Sequence, residues 1–102
     1  GAMYRAVTLY SIQHDLFKQN GIDTETLRKQ MNQIHITFHL DEKNNSPQTY
    51  LNGVNVEKEI RTMEVSSKVS FISVLDFVRQ ALVTQQSWMA ETSAPPYFRM
   101  PN

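Results

Sequence analysis

Two arginines on either side of a predicted helix are the side chains of this sequence best suited to chemistry. Arg61 comes shortly before an apolar stripe that repeats every three to four residues, and Arg79 lies near the end of that stripe. A guanidinium can donate to two phosphate oxygens at once, so arginines are the side chains that an anion site in this chain would need. Without further information, however, Arg79 is more simply interpreted as a solvated charge on a helix surface.

Composition limits the kind of site and the kind of protein. Ten basic and ten acidic residues give zero formal charge, which disfavours a broad surface for nucleic acid or anionic membrane. Any anion site must therefore be a local cluster of arginines. The absence of cysteine excludes disulfides and thiolate zinc sites, and no apolar run approaches the roughly 20 residues of a membrane span. With no signal peptide before the first helix, we expect one small cytoplasmic domain without a membrane segment.

Two histidines raise the question of a metal site. His35 and His39 lie on one face of a predicted strand, Ile34 to Leu40, in which apolar and polar residues alternate. Four residues along a strand separate the two imidazoles by about 13 Å, which is too far for one ion to bridge. We therefore expect no metal site.

The elements that must position these groups are predicted from periodicity and capping residues. Helices are predicted from Met3 to Lys18, ended by Gly21, and from Thr24 to Asn32, capped by Asp23.

The second half of the chain adds a hairpin and a further helix. Asn52-Gly53 tolerates the positive φ angles of a two-residue turn and joins strands at Gln48 to Leu51 and Val54 to Val56. The apolar stripe that follows predicts one long helix through the residues Val69, Ile72, Leu75, Val78 and Leu82. The expected fold class is α+β, with helices packed against a small three-stranded antiparallel sheet.

Three short motifs carry a family resemblance. They are G-A-M-Y-R-A at residues 1–6, L-N-G at 51–53 followed by I-R-T-M-E-V-S at 60–66, and V-R-Q-A-L at 78–82. This arrangement resembles the nucleoside-monophosphate-binding part of bacterial cytidylate (CMP) kinases, and it extends over residues 1–86. The resemblance implies that Arg5, Ser70, Arg79 and Arg61 bind CMP or dCMP. In that interpretation Arg5 and Arg79 contact the phosphate, whereas Ser70 meets the base.

The resemblance also implies cofactors that this chain does not hold. Full-length members bind ATP and Mg²⁺ through a Gly-rich G-x-x-x-x-G-K-[GST] loop. The chain has only three glycines, at positions 1, 21 and 53, and no such loop. We expect the P-loop core to be missing, no catalytic residue in this chain, and weak CMP binding without catalysis. The alternative is a stand-alone α+β binding or interaction module.

Residues 87–102 fit neither the family nor a regular element, because prolines 95, 96 and 101 break helices and strands alike. The family segment V-D-G-R-D-I-G-T-T-V-F-P-D-A-E-L-K can be back-translated so that a frame one base later encodes Trp88 to Asn102 and then a stop codon. We therefore predict that residues 87–102 are a frameshifted, non-native tail on a truncated reading frame.

Truncation would also leave apolar surface uncovered. A small sheet and one short helix should not cover all six of the apolar residues Val7, Leu9, Ile12, Ile72, Leu75 and Val78. A patch of several such side chains favours self-association. We therefore expect a homo-oligomer.

Overall fold

Helices and short antiparallel strands alternate along the chain, which confirms the predicted α+β class. The computed structural model describes residues 1–43 and 45–92, with side chains as far as residue 85. The helices of this part are α1 (Ala2–Gln13), α2 (Thr24–Gln30), α3 (Met63–Ser73) and α4 (Asp76–Thr92). The strands are β1 (Phe17–Lys18), β2 (Gly21–Ile22), β3 (Ile36–Leu40), β4 (Pro47–Leu51) and β5 (Val54–Asn55). β1 pairs with β2, and β3, β4 and β5 form the predicted three-stranded antiparallel sheet in that order.

The first helix ends earlier than predicted, because a left-handed residue stops it at Gln13. Asp15 has φ 59°, and its N–H donates to the Ile12 carbonyl at 3.1 Å. The N–H of Leu16 then donates to the Ser11 carbonyl at 2.8 Å. This pair of bonds is a Schellman motif, which satisfies the last carbonyls of the helix and turns the chain away. The predicted helix from Met3 to Lys18 is therefore wrong in its last turn.

A small hairpin replaces that last turn. Phe17 and Lys18 pair with Ile22 and Gly21, so Gly21 with φ 120° belongs to a strand and does not cap a helix. The Phe17 ring meets the Phe71 ring of α3 edge to face, with 6.1 Å between centroids. The hairpin therefore packs on the outer side of α3.

The second helix and the sheet follow the sequence prediction closely. Asp23 caps α2, and hydrogen bonds from the side chain and backbone of Thr26 lower the pKa of the Asp23 carboxyl. Asn52 and Gly53 both have positive φ, as their turn requires. The prediction that one face of β3 is buried is only partly correct. Ile36 is buried, whereas Phe38 and Leu40, further along the same face, are exposed to 43% and 63%.

The predicted single long helix is wrong, because the chain bends between α3 and α4. The Val74 N–H donates to the Ile72 carbonyl, and the Leu75 carbonyl accepts from the N–H of Val78 to start α4. Neither glycine nor proline marks this bend. The apolar stripe continues across it because Ile72 and Val78 are both fully buried in the same core.

The apolar residues that were expected to be uncovered, and so to favour self-association, are packed in the core. Of the six apolar residues expected to lie uncovered, Val7, Leu9, Ile72 and Val78 are buried, and Ile12 and Leu75 are partly buried against the same core. That reason is therefore wrong, and the oligomeric state itself stays a prediction. No helix of the described residues combines the length and apolar character that a membrane crossing requires.

The segment predicted to be a non-native tail is only partly within the described residues. Its first residues, Ser87–Thr92, continue the backbone of α4, although no regular element was predicted there. Residues 93–102 lie outside the described residues, so the frameshift hypothesis stays a prediction.

Candidate functional site

Arg5 reaches from α1 to the start of α3. Its Nη1 atom donates to the Ile60 carbonyl at 3.0 Å and to the Ser66 hydroxyl oxygen at 2.9 Å. Ile60 belongs to the 3₁₀ turn Glu59–Arg61, which comes directly before α3. The guanidinium is therefore held, half-buried, at the junction between this turn and the helix.

Apolar packing keeps this junction in place. Ile60 is fully buried and Val65 is exposed to 1%, and both belong to the same core as α1. The hydroxyl of Thr62 caps α3 by accepting from the Val65 N–H, and it donates to the Glu59 carbonyl at 2.9 Å. A threonine at this position can satisfy a backbone amide that the first helical turn leaves free, which is why the helix begins at Met63.

Arg61 follows Ile60, whose carbonyl binds Arg5, but the Arg61 side chain has a different partner. Its Nε and Nη2 atoms donate to one oxygen of Glu57, at 3.0 and 2.7 Å. The other Glu57 oxygen accepts from the backbone N–H of Thr49 at 3.0 Å. Burial of Glu57 by itself would raise the pKa of its carboxyl, but the hydrogen bonds from Arg61 and Thr49 outweigh it and hold that pKa below 4.5. The edge of Arg61 that could bind a phosphate is thus occupied by a carboxylate.

Ser70 and Arg79 are both exposed to solvent. Ser70 lies four residues after Ser66 in α3, so the two hydroxyls share one face of that helix. Arg79 lies in the first turns of α4, and its side chain has no hydrogen bond or ion pair within the described residues. No hydrogen bond among the described side chains joins Arg5 to Arg79 or to Ser70.

Ser66 is the residue of this site that sequence reasoning missed. It closes the matched motif I-R-T-M-E-V-S and precedes Ser70 by one helical turn, and these two facts were the available signal. Its contact with Arg5 spans 61 positions of the sequence, so only the packing of α1 on α3 reveals it.

For His35 and His39, the sequence predicts no shared metal ion. His39 stacks edge to face on Tyr50, with 4.7 Å between ring centroids. Among residues 1–43 and 45–92, no group of three or more His, Asp or Glu side chains lies close enough together to hold a metal.

Comparison with known proteins points to one family. The family model described as cytidylate kinase matches residues 1–95. The cytidylate kinase of Bacteroides fragilis is 59% identical over 91 residues, covering 89% of this chain and 40% of that protein. The cytidylate kinase of Porphyromonas gingivalis is 58% identical over 92 residues, covering 90% of this chain and 40% of that protein.

A more distant relative gives the same result. The cytidylate kinase of Cytophaga hutchinsonii is 48% identical over 90 residues, covering 88% of this chain and 37% of that protein. The chain thus spans about 40% of the length of the curated relatives that it matches most strongly. Since the family model and these relatives cover nearly all of it, the chain belongs to the cytidylate kinase family.

Proposed function

We propose that this chain forms the CMP-binding part of a cytidylate kinase, an enzyme that transfers the γ-phosphoryl group of ATP to CMP or dCMP. Arg5 and Arg79 hold the acceptor phosphate, Ser70 contacts the base, and Arg61 is the fourth CMP-binding residue. Relatives that are themselves named cytidylate kinase, at up to 59% identity, support this assignment.

One observation carries the proposal furthest, and it is the anchoring of Arg5. Its Nη1 atom is bound by Ile60 and Ser66, whereas its Nε and Nη2 atoms have no partner among the described side chains. A guanidinium held in this way keeps one edge available for two oxygens of a phosphate. Because the chain has zero formal charge, such a local site suits a nucleotide better than a nucleic acid.

Catalysis requires groups that these residues do not supply. In the proposed full-length enzyme, ATP with Mg²⁺ provides the phosphoryl group and neutralises charge on it. No stretch of this sequence matches a G-x-x-x-x-G-K-[GST] loop, and no cluster among the described residues suits Mg²⁺. The contribution of this chain is therefore to bind and orient the acceptor, which lowers the entropic part of the barrier. We place the protein in the cytoplasm.

A titration that compares CMP with cytidine tests the proposal, because the two ligands differ only in the phosphate. We expect the chain to bind CMP more tightly than cytidine in an NMR titration. Arg79→Ala should weaken CMP binding roughly tenfold, the size expected for a charge-assisted hydrogen bond, and leave cytidine binding unchanged.

Lys29→Ala is the matched control, because it removes an exposed cation from another helix, α2. It should leave the affinities for both ligands unchanged. Equal affinity of the unmodified chain for CMP and cytidine would contradict the proposed function and favour a non-catalytic interaction module.

A further inference from the structure

We infer that Ser66 is a positioning residue, which holds the Arg5 guanidinium in the orientation that a phosphate requires. The inference rests on the proposed function, in which Arg5 contacts the phosphate of the acceptor nucleotide. It concerns a different atom of the site, the hydroxyl oxygen of Ser66, which accepts from Arg5 Nη1 at 2.9 Å.

The number of hydrogens on the guanidinium makes the argument specific. Nη1 carries two hydrogens, and the two acceptors at 3.0 and 2.9 Å account for both of them. Because the guanidinium is planar, two bonds to one terminal nitrogen fix the direction of the whole group. The edge formed by Nε and Nη2 is then the one presented to a ligand.

One acceptor is a backbone carbonyl and the other is a side-chain hydroxyl, and both belong to well-packed segments. The Ile60 carbonyl comes from a fully buried residue, and Ser66 follows Val65, which is exposed to only 1%. The N–H of Ser66 donates to the Thr62 carbonyl at 3.0 Å, within the first turns of α3. Because the Arg5 guanidinium is already held in place, it loses little conformational freedom when a phosphate binds. Its contact with the phosphate therefore contributes more to the binding free energy.

The neighbouring Ser67 provides a comparison, because its hydroxyl does not bind Arg5 among the described residues. Ser67 lies on the same helix, is exposed, and donates its hydroxyl to the Glu64 carbonyl at 2.9 Å. It has no contact with Arg5 among the described residues. Ser67→Ala therefore removes the same atom as Ser66→Ala from the same helix without touching the arginine.

The experiment measures the ratio of the CMP affinity to the cytidine affinity in the full chain, by NMR titration. Ser66→Ala should lower this ratio roughly three- to tenfold, the effect of one lost hydrogen bond, by weakening CMP binding alone. Ser66→Thr, which keeps the hydroxyl, should restore the ratio, and Ser67→Ala should not change it. In an Arg5→Ala background, Ser66→Ala should have no additional effect.

The possible failures are distinguishable. If the unmodified chain binds CMP and cytidine equally, the proposed function is wrong and the role of Ser66 is overturned with it. If Arg5→Ala weakens CMP binding but Ser66→Ala behaves like Ser67→Ala, the proposed function stands and only the positioning role is overturned. The ¹⁵N resonances of the Arg5 guanidinium give a ligand-free check, because Ser66→Ala should speed rotation of Nη1 and Ser66→Thr should not.

Discussion

Glu57 occupies the edge of Arg61 on which a phosphate would otherwise bind. Both Nε and Nη2 of Arg61 donate to the same carboxylate oxygen, while the second oxygen receives the Thr49 N–H. The carboxylate therefore joins β4 to the turn that precedes α3. For Arg61 to take the role that the resemblance implies, it must exchange this carboxylate for a phosphate.

The pair should make stability depend on pH. The pKa of Glu57 in the folded chain lies below its ordinary value. Between these two pKa values the unfolded chain therefore binds more protons than the folded chain. The contribution is therefore fully present above pH 4.5 and is lost as the pH falls through the folded pKa. Glu57→Gln should cost about 0.5 to 1.5 kcal/mol at pH 6, and no more, because solvent screens Arg61, whose side chain is 60% exposed.

Urea unfolding at pH 6 and pH 3.5 measures this effect. The loss of stability between the two pH values should be smaller in Glu57→Gln than in the unmodified chain. Glu42→Gln removes an exposed carboxylate from a loop and should leave the loss unchanged. The same pH dependence in the chain and in Glu57→Gln would contradict the assignment of this pair.

The hairpin β1–β2 follows α1 in the chain and packs against α3, the helix that carries the candidate serines. Phe17 and Gly21 both lie against Phe71 of α3, and the Lys68 ammonium lies 5.9 Å from the centre of the Phe17 ring. The hairpin therefore packs against α3. The conformation of the hairpin depends on Gly21, which has φ 120°.

Gly21→Ala should destabilise the fold by about 1 to 3 kcal/mol, since an L side chain is strained at this φ. A crowded neighbour would not be the cause, because the added Cβ would lie 3.8 Å from the Phe71 ring, an ordinary contact. Gly53→Asn serves as control at a second positive φ, 84°, where asparagine is tolerated and a smaller loss is expected. Denaturant midpoints check both variants, and an unchanged midpoint for Gly21→Ala would contradict the strain.

One core joins all four helices and the main sheet in the part of the chain that the structure describes. Residues from α1, α2, α3 and α4 are buried together with residues of β3 and β4. Arg5, which we propose to contact the acceptor phosphate, is held at the junction of α1 with the start of α3. The chain corresponds to about 40% of the length of these curated relatives.

We expect the chain by itself not to phosphorylate CMP. The physical reason is that its glycines, at positions 1, 21 and 53, do not form a loop whose amides could bind ATP phosphates. A coupled assay of ADP release with ATP, Mg²⁺ and CMP should show no turnover above a blank without protein. Turnover that Arg5→Ala abolished would show that the chain carries catalysis itself and would contradict this expectation.

Several features could be predicted from the sequence because their causes act over a few residues. The turn at Asn52 and Gly53 depends on local backbone sterics, and the cap at Asp23 depends on an amide three positions away. The bend between α3 and α4 could not be predicted, because no residue type marks it and the apolar stripe continues through it. The Schellman end of α1 was missed because Asp15, and not glycine, adopts the left-handed conformation.

The sequence by itself determined the family, the fold class and the residue types suited to an anion, because motifs and periodicity are properties of the chain alone. Only the tertiary structure decided which groups hold Arg5. Arg5 meets Ile60 and Ser66 across 55 and 61 positions of the chain, and this required α1 to pack on the start of α3. The pair of Arg61 with Glu57 is different, because these two residues are only four positions apart in the chain.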